Sequence, residues 1–219
     1  MAQPNVPPAN RQERRKVRTR LALVRAAQSF IAAGNLKAPI LDITQAADVG
    51  LGSFYNHFES KEELFGAAVE EAVDALGALL DEVTAGVDDP AEVFAQSFRL
   101  VGRWHRRNPE LSSVLCNSRL ALGSNSGLAP RARRDIEAGA SAGRFTVHDP
   151  DLAMTIVGGA TLGLARFLDE HPERDDAQAT DQVTSGLLRV LGISAREAQR
   201  ICSTPLPDVE GTGHRGAAA

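Results

Sequence analysis

Residues 40–64 read ILDITQAADVGLGSFYNHFESKEEL, and the placing of apolar and small residues in that stretch decides the fold. Ile40, Ile43 and Ala47 stand at i, i+3 and i+7, the spacing of one buried stripe on a short helix. Phe54 and Phe58, at i and i+4, mark a second short helix. Between them lies Ala46-Ala47-Asp48-Val49-Gly50. The alanines let two helices approach closely, and Asp48 and Gly50 tolerate the backbone angles of a tight turn, glycine most easily. That is the pattern of a helix-turn-helix. The second helix leaves Gly52, Ser53, Asn56 and Tyr55 on its outer face. Serine and asparagine exchange hydrogen bonds with base edges or phosphate oxygens, and a helix of this kind fits the major groove of DNA.

Charge agrees with that reading once it is divided along the chain. The whole protein has 219 residues, a formal net charge of −4 and a sequence pI near 5.8, which speaks against a general polyanion binder. Residues 1–60, however, carry eight Lys/Arg against four Asp/Glu, a balance of +4, whereas residues 61–219 carry 16 against 24, a balance of −8. Arg11, Arg14, Arg15, Lys16, Arg18, Arg20 and Arg25 form a basic run leading into and along the first helix. Such a run neutralises phosphates and releases counterions; a solvated basic face is the alternative that charge alone leaves open. Lys61, at the head of the fourth helix, can meet the same backbone.

With Ile43, Ala47, Val49, Gly52, Ser53, Phe54, Tyr55, His57, Phe58, Ser60, Lys61, Glu62, Glu63 and Leu64 in place, the stretch resembles the TetR (tetracycline-repressor-type) family of bacterial regulators. Tyr-x-His-Phe followed by Ser-Lys-Glu-x-Leu behind a helix-turn-helix is a specific signature. Four positions depart from the family pattern: Asp48 replaces the turn glycine, Gly50 the capping serine, Leu51 a polar or basic residue, and Pro39 the threonine that often opens the second helix. The resemblance implies that Leu51, Gly52, Ser53, Tyr55 and Asn56 face double-stranded DNA. Tyr55 and His57 would meet phosphates, Lys61 would anchor the backbone, and Arg18 and Arg20 would lie nearest the duplex. Phe54 and Phe58 would be core. It further implies a homodimer on a palindromic operator, and a small-molecule effector that releases it as a repressor.

The rest of the chain is predicted to be all-α. Apolar periodicity and caps place helices at 14–33, 40–47, 51–57, 61–86, 90–107, 109–120, 128–142, 150–170, 176–191 and 195–202. Asp89-Pro90, Asn108-Pro109 and Asp149-Pro150 pair a cap residue with proline, and Ser60…Glu63 and Ser194…Glu197 read as capping boxes. The expected organisation is a disordered tail at 1–10, a three-helix DNA-binding domain with helix-turn-helix at 11–60, a helical effector and dimerisation domain at 61–203, and a disordered tail at 204–219. Phe98, Trp104 and His105 share a face of the helix 90–107 with other apolar residues. They are either packed core or, with Cys116 and Asn117, the wall and polar anchors of a ligand pocket. Met154, Gly158, Thr161, Leu162 and Ala165 follow helical spacing in 150–170, and with Leu187, Val190 and Leu191 they are assigned to the dimer interface that the resemblance implies.

Other classes find little support. Cys116 and Cys202 are isolated, as reduced thiols of a cytoplasmic protein would be. The apolar run Leu152–Ala165, 14 residues, is short for a membrane span, and no membrane partner is expected. The motifs of hydrolases, P-loop proteins and zinc peptidases are absent, so neither an enzyme nor a metal or cofactor is expected. The remaining alternatives are a helical adaptor, or an activator with no small-molecule effector.

Overall fold

The computed structural model describes residues 11–112 and 127–207. Nine helices lie wholly within them: α1 Arg11–Ala32, α2 Ile40–Ala46, α3 Leu51–Tyr55, α4 Lys61–Thr84, α5 Pro90–Arg107, α6 Leu128–Ser141, α7 Pro150–Glu170, α8 Asp176–Val190 and α9 Ala195–Ser203. A further helical turn opens at Pro109. The fold is all-helical, as the periodicity predicts. The tails at 1–10 and 208–219, most of the helix expected at 109–120, and the pocket candidates Cys116 and Asn117 lie outside the described residues.

The chain divides into two compact units, Met1–Val69 and Glu70–Ala219. The boundary falls inside α4, not before it at residue 61, because the first turns of α4 bury Leu64, Phe65, Ala68 and Val69. Gln28 donates to the Ala68 carbonyl at 3.0 Å and ties α1 to the same turns. In the second unit α5 is central and packs against α6, α7, α8 and α9. Its apolar face joins Phe94 and Phe98 to Ile136, Phe145, Val157, Leu168 and Leu188 in one core.

Short polar side chains start these helices. Asp89 accepts from the Ala91 amide ahead of Pro90, Asp149 from the Asp151 and Leu152 amides around Pro150, and Asp175 from Gln178. Each satisfies amides that a helix start leaves open. The two expected capping boxes close differently. Ser60 accepts from the Glu63 amide at 3.1 Å, but the Glu63 carboxylate takes the Glu59 amide, one residue before the cap. Ser194 accepts from the Glu197 amide at 3.3 Å, while the Glu197 carboxylate turns away to Arg200 and Arg144. Arg144 also clamps Asp89 at 2.6 Å, and this pairing outweighs burial in holding the Asp89 carboxyl below its ordinary value.

Two polar side chains of α5 fasten the end of α7. Arg106 donates to the carbonyls of Leu168 at 2.9 Å, His171 at 3.2 Å and Arg174 at 3.2 Å, and so spans the last turn of the helix and the turn after it. His105, buried, faces the Ala165 carbonyl at 2.9 Å and Asp169 at 3.1 Å through Nε2, and pairs with Ser112 through Nδ1. Both groups at Nε2 are acceptors, so the ring proton sits there and the Ser112 hydroxyl donates to Nδ1.

Candidate DNA-reading head and effector cavity

In the first unit, α2 ends in a double-bonded turn. The Asp48 amide donates to the Gln45 carbonyl at 3.1 Å and the Val49 amide to the Thr44 carbonyl at 3.0 Å. This is the closing pattern usually built around a left-handed glycine. Here Asp48 takes that place with φ 53°, the one positive φ off glycine among the described residues. Gly50 then caps α3 with extended backbone and no side-chain bond. Pro39 stands one place before the first helical residue of α2, as its cap.

Phe54 and Phe58 are buried, with ring centroids 6.0 Å apart. They fix which side of α3 is left outside. Leu51, Gly52, Tyr55 and Asn56 are exposed, and Ser53 and His57 half-exposed, so these six candidates share one outer surface. A side chain at Gly50 or Gly52 would meet nothing within 4 Å, so packing within the protein does not demand glycine there. Tyr55 is 59% exposed and steadied by the edge of Phe54 at 5.1 Å.

The basic candidates come from neighbouring elements. Arg18 and Arg20 are exposed on α1, and the Arg20 guanidinium sits 5.0 Å from the Phe58 ring centre. That contact holds it beside the turn after α3. Lys61 donates to the Ala38 carbonyl at 3.3 Å and lies over Phe65, so it braces the start of α2 as well as carrying charge. His57 is held below the ordinary histidine value by burial and by the charges of Lys16 and Arg20.

The second unit contains a cavity of about 150 Å³ walled by α4, α5, α6 and α7. Phe94, Phe98, Val101, Met154, Val157 and Leu162 form its apolar lining, with Ser97 and Thr161 among them. One patch of the lining is ionic: Asp81 from α4 with Arg131, Arg134 and Asp135 from α6. Arg131 donates to Asp81 at 2.8 Å, as does Arg134, which also reaches Asp135 at 3.0 Å. Burial pushes the Asp81 carboxyl up, but the two arginine bonds outweigh it and leave it below its ordinary value. Asp135 is more deeply enclosed, and there burial wins over Arg134 and raises the carboxyl. Gly77 lets the Arg131 guanidinium lie against α4, where a Cβ would come within 2.5 Å of it.

The other expected site residues fall in different places in the second unit. Phe98 does line the cavity. Trp104 does not; it borders a separate groove on the other side of α5, against Leu76, Leu80 and Leu100. His105 is occupied at the end of α7. Met154, Gly158, Thr161 and Leu162, assigned to a dimer interface, line the cavity, and Ala165, Leu187 and Leu191 are core. Of that set Val190 alone is exposed. The face of α7 that stays outside carries Leu152, Ile156, Gly159 and Gly163, one position round from the assigned stripe, with Gly186 and Val190 outside on α8. The 14-residue apolar count also understates α7. Its 21 residues are long and apolar enough to cross a bilayer by length and composition, yet one flank, with Val157, Leu164 and Leu168, lies in the core. The ionic quartet was missed. Its signal was there: Arg131, Arg134 and Asp135 occupy i, i+3 and i+4 on α6, a charged face beside the buried Ile136.

Residues 22–68 match the family model described as bacterial regulatory proteins of the tetR family, and residues 89–204 match the one described as a tetracyclin repressor-like C-terminal domain. The chain belongs to the TetR family. As a TetR-family member it is a DNA-binding transcriptional regulator, and its helix-turn-helix is the reading element. Among solved structures, RolR in complex with resorcinol is 33% identical, covering 90% of this chain and 99% of that one with a TM-score of 0.75. The fatty acid degradation regulator FadR from Bacillus halodurans shares the fold at 19% identity and a TM-score of 0.63, over 78% of this chain and 94% of that one. The HTH-type transcriptional repressor DhaR of Mycobacterium sp. (strain GP1) is 50% identical over 44 residues, 20% of this TetR-family chain and 22% of that protein. Among the described residues no group of three or more His, Cys, Asp or Glu could hold a metal ion.

Proposed function

We propose that this regulator is a homodimeric repressor that leaves a two-fold operator when a small hydroxylated aromatic compound enters the α4–α7 cavity. The carrying observation is the cavity itself. Its volume of about 150 Å³ suits a single ring, since an apolar protein cavity of roughly that size binds benzene. Phe94 and Phe98 supply ring-sized apolar walls, and the Asp81–Arg131–Arg134–Asp135 patch supplies acceptors and donors for hydroxyl groups. The 33%-identical relative RolR was crystallised with resorcinol, a compound of this kind.

The proposed route to the head is α4, whose residues fall in both units. Its first turns pack in the reading unit, and Val73, Leu80 and Asp81 wall the cavity. A hydroxyl that competes for Asp81 loosens its bonds to Arg131 and Arg134. The ligand shifts the equilibrium because it binds the two arrangements of α4 differently. The exposed faces of α7 and α8 pair the subunits, and the two-fold protein meets two half-sites one turn of DNA, about 34–36 Å, or a multiple of it apart. Ser53, Tyr55 and Asn56 read the groove, with Arg18, Arg20, His57 and Lys61 on phosphates.

A gel-shift titration on the DNA flanking the gene tests the reading. Specific retardation that resorcinol or another one-ring phenol reverses, and benzene carboxamide does not, is the expected result. Retention of no DNA above non-specific background overturns the regulator, and release by no phenol overturns the effector class.

A further inference from the structure

A second space, an open groove, lies on the opposite side of α5 from the effector cavity. It measures about 950 Å³ and is bounded by α4, α5, α8 and residues 202–207, the end of α9 and the stretch after it. Leu76, Leu79 and Leu100 give it an apolar floor. Trp104, half-buried, forms a wall.

The charge in this groove is unevenly satisfied. Arg99 is buried, holds both oxygens of Asp181 at 2.7 and 3.3 Å, and donates to the Thr204 carbonyl at 2.7 Å. Arg103, one turn further along α5, reaches Asp181 at 3.4 Å, on the oxygen that Arg99 already holds. Two enclosed guanidiniums thus share one carboxylate. Burial lowers the Arg103 pKa, Arg99 and Arg107 lower it further, and Asp181 together with Asp176 does not make good the difference. A guanidinium in that position gains a charge-assisted, bidentate bond from any carboxylate that arrives.

We infer that this groove is a second binding site, for an organic carboxylate carrying a planar aromatic body of more than one ring. The carboxylate pairs with Arg103, the rings lie along Trp104, and the leucine floor takes the far edge. Its volume is several times that of the effector cavity, which admits a larger body. A polyanion is disfavoured, since residues 61–219 carry −8 overall and Glu82 lines the groove beside the arginines, whereas a monoanion needs only Arg103. This site stands independently of the effector cavity, whose lining shares with it no residue but Leu80.

Trp104 is the sole tryptophan, so it reports on its own site. Anthracene-9-carboxylate accepts energy from tryptophan, as does its neutral counterpart 9-anthracenemethanol. Titrating the full chain with the carboxylate is expected to give saturable sensitised emission at one site per chain, with the alcohol at least about tenfold weaker, the usual worth of one charge-assisted bond. Arg103→Gln is expected to cost the carboxylate the same factor and leave the alcohol unchanged. Leu79→Glu, which touches no ion pair, is the second variant and is expected to weaken the carboxylate by like-charge repulsion. Arg131→Gln, across α5, is expected to change neither. Equal binding of acid and alcohol overturns the inference. So does undiminished carboxylate affinity in Leu79→Glu or in a folded Arg103→Gln, or loss of binding in Arg131→Gln.

Discussion

Asp48 occupies the backbone position of the helix-turn-helix for which glycine is best suited, with φ 53°. Aspartate tolerates this region better than most residues, and a β-branched side chain tolerates it worst. Asp48→Val is therefore expected to lower stability by about 1–2 kcal/mol, while Asp48→Gly holds or slightly raises it; thermal unfolding of the two variants measures the difference. His57 carries a second prediction. In the free protein burial, Lys16 and Arg20 hold its pKa below 6.5. A phosphate beside it favours the charged ring, so the bound state has the higher pKa and binding takes up a proton. Operator affinity is expected to rise as pH falls through and below about 6.5, the ordinary histidine value, and His57→Gln to flatten that rise. A pH-independent difference between wild type and variant would remove His57 from the phosphate contacts.

At the scale of the element, α5 and α8 are locked where Gly102 meets Thr180. A Cβ at Gly102 would stand 2.5 Å from both branches of the Thr180 side chain. Thr180 is buried and its hydroxyl has no hydrogen-bond partner among the described residues. Gly102→Ala is expected to cost about 1–3 kcal/mol through overpacking. Thr180→Val, which keeps the shape and removes the unpaired hydroxyl, is expected to gain about 1 kcal/mol, or roughly 2–4 °C in Tm. Calorimetry of both variants checks the pair, and destabilisation by Thr180→Val would point to a partner for the hydroxyl. Elements were also the scale most legible in the sequence. Asp89-Pro90 and Asp149-Pro150 start α5 and α7 where expected, because a cap and a proline act locally. The face each helix shows to its neighbours was less legible. In α7 the stripe Met154–Gly158–Thr161 and the stripe Leu152–Ile156–Gly159 have the same period and similar composition. Only the packing of α4, α5 and α6 determines which of them lines the cavity. Asp81, the carboxylate that Arg131 holds, lies 50 residues away and leaves no local trace.

For the whole molecule, the proposed function gives the two faces of α7 separate tasks, the outer one pairing subunits and the inner one lining the cavity. Ile156→Asp, on the outer face and 46% exposed, is expected to shift a dimer toward monomer in sedimentation equilibrium and to weaken operator binding, with the effector cavity intact. Met154→Asp, two residues away but lining the cavity, is expected to leave the dimer and abolish effector release. If both variants dimerise alike, the proposed pairing surface is wrong. The hold of Arg106 on the carbonyls of Leu168, His171 and Arg174 has a consequence for the chain as a protease meets it. The α7–α8 connector, with Pro172, Glu173 and Arg174 exposed, has the composition of a cleavable linker, but a bound segment must unfold locally to enter a protease. Trypsin should accordingly spare Arg174 and cut there readily once Arg106→Gln releases the splint, and any tag or fluorescent insert placed in this connector would break a joint, not decorate a loop.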